Sequence, residues 1–106
     1  MSERSEKIRE AIRINAAEFL MRESNRQSLI TVTGAAVSDN LKRAMVFITV
    51  LPDSHETAAL GLANRKVRDF REFLRERVKL GVLPRIEFVI DRGEKNRQRL
   101  DELSDN

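Results

Sequence analysis

Apolar positions in the first third of the chain change from helical to strand spacing. Between residues 3 and 23, apolar side chains recur every three or four residues, which is typical of an amphipathic helix. These side chains are Ile8, Ala11, Ile12, Ala16, Phe19 and Leu20. The polar segment 24–28 ends that spacing and predicts a loop. Residues 29–36 then alternate apolar and polar side chains, which predicts a half-buried strand, and Gly34 predicts a bulge or bend within it.

The next apolar segment is a strand of a different kind. Residues 44–51 place apolar side chains on both alternating faces, which is typical of a strand in the centre of a sheet. A polar cluster, Ser38-Asp39-Asn40, separates it from the preceding strand and predicts a turn. Two strands joined by such a short connection are expected to pair antiparallel. We interpret the polar turn as an Asx-type connection that fixes where the second strand begins.

A long helix and a third strand are predicted in the second half of the chain. Asp53 is a suitable N-cap, with Glu56 three residues later as in a capping box. The helix is expected to run to about Leu80, with Gly81 as its C-cap. Residues 85–91 alternate again and predict the last strand.

The element order α-β-β-α-β predicts one α+β domain over residues 1–91, followed by a polar tail over 92–106. Strands joined through a helix are parallel with a right-handed crossover, so the three-stranded sheet should be mixed, with two helices on one face. Met45 and Phe47 would then lie on an open sheet face, unless the tail covers them. Within the tail, residues 97–103 could form a short helix.

Composition excludes several classes of chemistry. The chain has 106 residues, which suits one domain, and it has no cysteine, so disulfides and thiolate metal sites are excluded. His55 is the only histidine and lies at a helix start, where a catalytic triad or a zinc site is not expected. We therefore predict no enzymatic activity, no metal and no cofactor. No apolar segment reaches the length of a membrane span, and a cytoplasmic location is expected.

The placement of charge is more informative than its total. Twenty basic and 17 acidic residues give a net charge of +3, and fifteen of the 20 bases are arginine, which suits phosphate recognition. Seven bases and three acids fall between residues 65 and 79, so the predicted long helix concentrates the positive charge. We define the basic stripe as the six residues predicted to bind RNA. They are Arg65, Lys66, Arg68, Arg71, Arg75 and Lys79.

A basic stripe on one helix face is typical of a polyanion-binding protein. The alternative is a solvated face held by ion pairs within the helix. All five phenylalanines fall in the apolar pattern, so recognition should depend on phosphate contacts and RNA shape rather than on aromatic stacking. Additional RNA contacts are predicted in the polar turn and the tail. The residues are Ser38, Asp39, Lys42, Arg43, Arg92, Lys95, Arg97 and Arg99.

The segment VSDNLKRAMVFITVL, residues 37–51, resembles the signature of the ribosome-binding factor A family. That family has a Val-Ser turn leading into an Ala-x-Val strand. The first helix, the proline-led strand VLPRIEFVID (82–91) and the ending RLDEL (99–103) are also similar to the family pattern, in the same order. The resemblance covers nearly the whole chain.

The resemblance implies a KH-like fold of the second topological type. It also implies a maturation factor, often linked to cold adaptation, that binds the small (30S) ribosomal subunit. The contact would be to 16S rRNA near its helix 1 and helix 44 during late assembly and rRNA processing. Such a protein is expected to be a monomer when free, with no membrane partner.

One departure from the family concerns the long helix. The family has an Ala-x-Gly kink there, and counting back from Pro84 without gaps places it at Lys66-Val67-Arg68. Ala59-Leu60-Gly61 reads Ala-x-Gly but lies two turns too early. We therefore predict a straight helix that uses arginine where relatives use a close backbone approach.

Two other functions remain open at this point. The chain could be a protein-interaction module that docks a partner on the open sheet face, or, with much weaker support, an RNA-processing enzyme. Salt dependence separates RNA binding from protein docking, because each phosphate contact releases counterions.

Overall fold

Helices and strands follow one another in the predicted order. The computed structural model describes residues 3–23 and 27–93. Its elements are α1 (Glu3–Glu23), β1 (Leu29–Val37), β2 (Arg43–Leu51), a 3-10 turn (Asp53–His55), α2 (Glu56–Arg65), α3 (Val67–Arg77) and β3 (Arg85–Ile90). The α+β order is confirmed, with the predicted long helix divided into α2 and α3. The predicted short helix at 97–103 lies outside the described residues.

The sheet has the predicted mixed topology. Its strand order is β1-β2-β3, with β1 and β2 antiparallel and β2 and β3 parallel. Val46 in the central strand is paired with Ala35 on one side and with Phe88 on the other. The register shifts between Val32 and Gly34, which confirms the predicted bulge.

The main core lies between the three helices and one face of the sheet. Phe19 of α1, Phe70 of α3 and Phe88 of β3 are at most 4% exposed and form a continuous row. Their ring centroids are 5.3 Å apart between Phe19 and Phe70, and 5.6 Å apart between Phe70 and Phe88. Tilted aromatic pairs at these separations are favourable beyond their buried area. The apolar spacing seen in the sequence therefore identifies the faces that pack together.

The opposite face of the sheet is buried around Met45 and Phe47, where we expected it to be open, and is exposed at Leu29 and Leu51. Met45, Phe47 and Val89 form a second small cluster with Ala36, and Met45 and Phe47 are 2% and 1% exposed. The expectation that Met45 and Phe47 lie exposed on an open face is therefore wrong. A central strand with apolar side chains on both faces is stable only when both faces are dry. The suggestion that the tail covers this cluster concerns residues 94–106, which lie outside the described residues.

The long helix is broken at Lys66, so the prediction of a straight helix is wrong. Lys66 has φ −101° and ψ 9°, and its N–H bonds to the Ala63 carbonyl instead of continuing the α-helical pattern into α3. The break falls where the ungapped count placed the family kink. The segment 59–61 is ordinary helix within α2.

Asn64 attaches the last turn of α2 to the sheet. Its Nδ2 donates to the Phe88 carbonyl at 2.9 Å, and the Phe88 N–H donates to Asn64 Oδ1 at 2.9 Å. An amide side chain thereby pairs with the outer edge of β3 as a neighbouring strand would. This attachment fixes the end of α2 against β3 just before the break.

Both predicted ends of the long helix need correction. Asp53 lies in the 3-10 turn, and neither that turn nor α2 has a side-chain N-cap bond, so the predicted capping box is wrong. At the other end α3 stops at Arg77, and Val78 is extended. Gly81 has φ +73° in the following loop and is not a helix C-cap.

Candidate nucleic-acid interface

A wide groove lies at the end of the sheet where the β1–β2 turn and the start of β3 meet. It has a volume of about 1030 Å³ and is also bordered by the start of α1 and by α3. Its basic residues are Arg4, Lys42, Arg68, Arg71, Arg75 and Arg85. Glu72 is the only acidic residue that lines it in the described part of the chain. We call this opening the basic groove.

Apolar side chains also line the basic groove. They come from α1, the turn and α3, and from the loop that leads into β3. The residues are Ile8, Leu41, Val67, Leu80, Val82, Leu83 and Pro84. Val82, at the tip of this loop, is 93% exposed. The groove therefore combines positive charge with apolar side chains, of which Val82 is open to solvent.

The polar turn that precedes β2 is held by its own side chains. Ser38 is 1% exposed, and its Oγ donates to Asn40 Oδ1 and accepts from the Arg43 N–H. Asn40 Oδ1 also accepts from the Lys42 N–H at 3.0 Å. Leu41 has φ +61°, a left-handed conformation that such local bonds stabilise. The turn is Asx-type, as predicted, with Asn40 as the acting residue, and it directs Lys42 into the basic groove.

Arg71 holds the loop that leads into β3. Its Nη2 donates to the Leu83 carbonyl at 3.3 Å, and its side chain is half-buried. Its Nε is buried without a hydrogen-bond partner among the described residues. The Arg71 guanidinium thereby ties the loop to α3. Because one of its N–H groups is used in this way, it has fewer donors for a ligand than a fully exposed arginine.

In the part of the chain that the structure describes, ion pairs neutralise most arginines outside the basic groove. Along α1 and the end of α3 the pairs are Arg9–Glu6, Arg13–Glu10, Arg22–Glu18 and Arg77–Glu18. The hydrogen bond from Arg13 lowers the pKa of Glu10. These surfaces therefore fit the alternative to RNA binding, a solvated helix face held by ion pairs.

The basic groove differs from those surfaces. Arg75 is paired with Glu72. Arg4, Lys42, Arg68 and Arg85 have no ion pair within the described residues. Unpaired like charges that face one opening produce a positive potential that attracts a polyanion. Unpaired positive charge is thus concentrated at one site of the described structure.

The structure divides the basic stripe into separate surfaces. Arg68, Arg71 and Arg75 line the basic groove. Lys66, at the break, is paired with Glu23 at 3.6 Å, and Arg65 lines a different, smaller opening. The remaining stripe residue, Lys79, is exposed in the loop after α3, outside the residues that line the groove.

The additional RNA-binding candidates are also dispersed. Lys42 lies in the basic groove, and Asp39 is exposed in the turn. Arg43 is half-buried at the start of β2, and Ser38 is buried within the turn. Arg92 pairs with Glu56 at 3.5 Å. Lys95, Arg97 and Arg99 lie outside the described residues.

Two groove residues, Arg4 and Arg85, were absent from the sequence-based set. Arg85 is paired with Arg43 in the parallel register, which places it beside the β1–β2 turn. The strand order could have indicated Arg85, because the first residue of β3 must lie next to the first residue of β2. Arg4 could not be predicted in this way. It reaches the groove only through the packing of α1 across the sheet, which the sequence pattern does not specify.

Within residues 3–23 and 27–93, no cluster of acidic or histidine side chains could hold a metal ion. The helices in the same part of the chain are too short or too polar to cross a membrane.

Comparison with known proteins gives a consistent result. The family model for ribosome-binding factor A matches residues 4–104. A ribosome-binding factor A from Coxiella burnetii (strain RSA 493 / Nine Mile phase I) is 30% identical over 102 residues, covering 94% of this chain and 86% of that protein. Another from Trichlorobacter lovleyi is 34% identical over 104 residues, covering 94% and 84%.

Solved structures agree with the fold. The crystal structure of ribosome-binding factor A from Thermus thermophilus has a TM-score of 0.73 at 23% identity, covering 81% of this chain and 93% of that one. A solution structure of a Thermotoga maritima protein has a TM-score of 0.72 at 22% identity, covering 88% and 92%. These likenesses confirm the KH-like fold.

Proposed function

The chain belongs to the ribosome-binding factor A family, and from this premise we propose that it is an assembly factor for the small (30S) ribosomal subunit. It binds 16S rRNA and assists late maturation and rRNA processing of that subunit. The family is named for ribosome binding rather than for a reaction, and the proposed role requires no catalysis.

The basic groove is the observation that supports RNA binding most strongly. Six basic residues and one acid line it among the described residues, and four of the bases lack an ion pair there. Phosphate contacts from such residues provide affinity and orientation with little sequence discrimination. The required specificity would then come from the shape of the immature subunit.

We propose that Arg4, Lys42, Arg68 and Arg85 contact phosphates. Arg75 would exchange its contact with Glu72 for a phosphate when RNA binds, at a small cost because an exposed pair is weak. Arg71 would act indirectly by holding the loop. Ser38 has no direct part in this proposal, because its hydroxyl is buried in the turn.

Co-sedimentation with purified small subunits tests the proposed function. We expect the protein to sediment with immature subunits and to be released as they mature. The Arg68→Gln variant should sediment less, whereas Arg13→Gln, which removes one charge from an ion-paired site on α1, should behave as the parent. Absence of the parent protein from both subunit fractions would contradict the proposal.

A further inference from the structure

A second, smaller opening lies beside α2, at the other end of β1 from the turn that borders the basic groove. It has a volume of about 160 Å³. Its polar residues are Gln27, Ser28, His55 and Arg65, and Ile30 and Leu62 contribute to an apolar floor. No carboxylate lines it within the described residues. We call it the Arg65 pocket.

Gly61 provides the space in which Arg65 lies. A Cβ atom placed on Gly61 would be 3.2 Å from Arg65 Nη1, so the guanidinium lies close to the surface of α2, one turn back from its own Cα. Arg65 has no acidic partner among the described residues, unlike Lys66 beside it. A glycine in the middle of a helix lowers its stability, and the position of Arg65 supplies a reason for a glycine here.

The size and chemistry of the Arg65 pocket limit what it can bind. Its volume is below the roughly 300–1,000 Å³ of sites that enclose a small molecule. A single phosphate or base that belongs to a longer RNA is small enough to enter this pocket. An unpaired guanidinium beside a histidine and a hydroxyl suits a phosphate, and the apolar floor suits the face of a base.

We propose that the Arg65 pocket binds a second phosphate-bearing nucleotide of the RNA that occupies the basic groove. This proposal rests on the proposed function. The two openings adjoin at the end of α2, because Asn64 lines the basic groove and the next residue, Arg65, lines the Arg65 pocket. A nucleotide in the pocket and another in the groove can therefore belong to the same RNA.

The test compares single-stranded oligouridylates of about four and about sixteen nucleotides, sizes at the limits of known single-strand sites. Arg65→Gln should weaken binding of the longer oligonucleotide roughly tenfold. Its salt dependence should fall by about 0.7 in log–log slope, as for one lost phosphate contact on a single strand. Arg68→Gln should weaken both oligonucleotides.

Arg13→Gln is the matched control, because it removes the same charge from an ion-paired arginine on α1. Unfolding curves of the three variants confirm that each is folded at the assay temperature. If Arg65→Gln binds the longer oligonucleotide as Arg13→Gln does, while Arg68→Gln is impaired, the second site is contradicted and the groove is retained. If the parent protein binds neither oligonucleotide, the proposed RNA-binding function is contradicted as well.

Discussion

Asn64 is the residue on which the course of the helical layer depends most directly. Asn64→Ala should lower the free energy of unfolding by about 1–3 kcal/mol, because the Phe88 N–H and carbonyl would lose their partners at the edge of β3. Asn64→Asp retains the acceptor and loses the donor, so its effect should be intermediate. Urea unfolding measures all three proteins, and an alanine variant within about 0.5 kcal/mol of the parent would exclude this role.

Ser38 and Asp39 are neighbours in the turn with opposite environments. Ser38→Ala should destabilise the protein by about 1–3 kcal/mol, since it removes a buried hydroxyl that bonds Asn40 and the Arg43 N–H. Asp39→Ala should change stability by less than about 0.5 kcal/mol, because Asp39 is exposed. Thermal unfolding of both variants checks the contrast, and equal effects would show that the turn is not held by Ser38.

At the scale of elements, the two glycines of the 59–81 region should respond oppositely to alanine. Gly61 lies inside α2, so Gly61→Ala should stabilise the protein by about 0.5–1 kcal/mol and raise Tm by about 2–8 °C. The exposed end of Arg65 can move from the added methyl group. Gly81 has φ +73°, so Gly81→Ala should destabilise by about 1–2 kcal/mol.

Differential scanning calorimetry distinguishes these two outcomes. A destabilised Gly61→Ala variant would mean that the guanidinium cannot move, or that α2 needs its glycine for the backbone. That result would restore the Ala-x-Gly segment at 59–61 as a structural feature of the helix.

The strands could be predicted from the sequence more fully than the helical layer. Alternation along β1 and β3 and the apolar residues on both faces of β2 identified the edge strands and the central strand, and Gly34 indicated the bulge. The break at Lys66 has no signal in the apolar pattern, and only the ungapped comparison with the family placed a kink there. Treating residues 65–79 as one helix assigned Arg65 and Arg68 to one surface, and the structure places them on two.

The basic groove is a property of the whole molecule. Its positive residues come from the start of α1, the β1–β2 turn, α3 and the start of β3, which converge only after the sheet and helices pack. Local charge density in the sequence indicated α3 alone. Ion pairs explain the rest of the difference, because they neutralise three of the four arginines of α1.

The contrast between paired and unpaired arginines predicts how RNA binding depends on salt. The double variant Arg68→Gln, Arg85→Gln should reduce the log–log salt slope by about 1.4 on single-stranded RNA, as expected for two lost phosphate contacts. Stability should change little, because both side chains are exposed. Arg71 is left intact, because its bond to Leu83 supports the groove wall.

The control for this prediction is the double variant Arg9→Gln, Arg13→Gln, which removes the same charge from ion-paired positions on α1. Its salt slope should match that of the parent, since those guanidiniums already have carboxylate partners. Filter binding at several salt concentrations measures both slopes. Equal reductions of the salt slope in the two double variants would mean that net charge, rather than the basic groove, governs binding. Both variants remove the same formal charge, so only localised phosphate contacts in the groove can make their slopes differ.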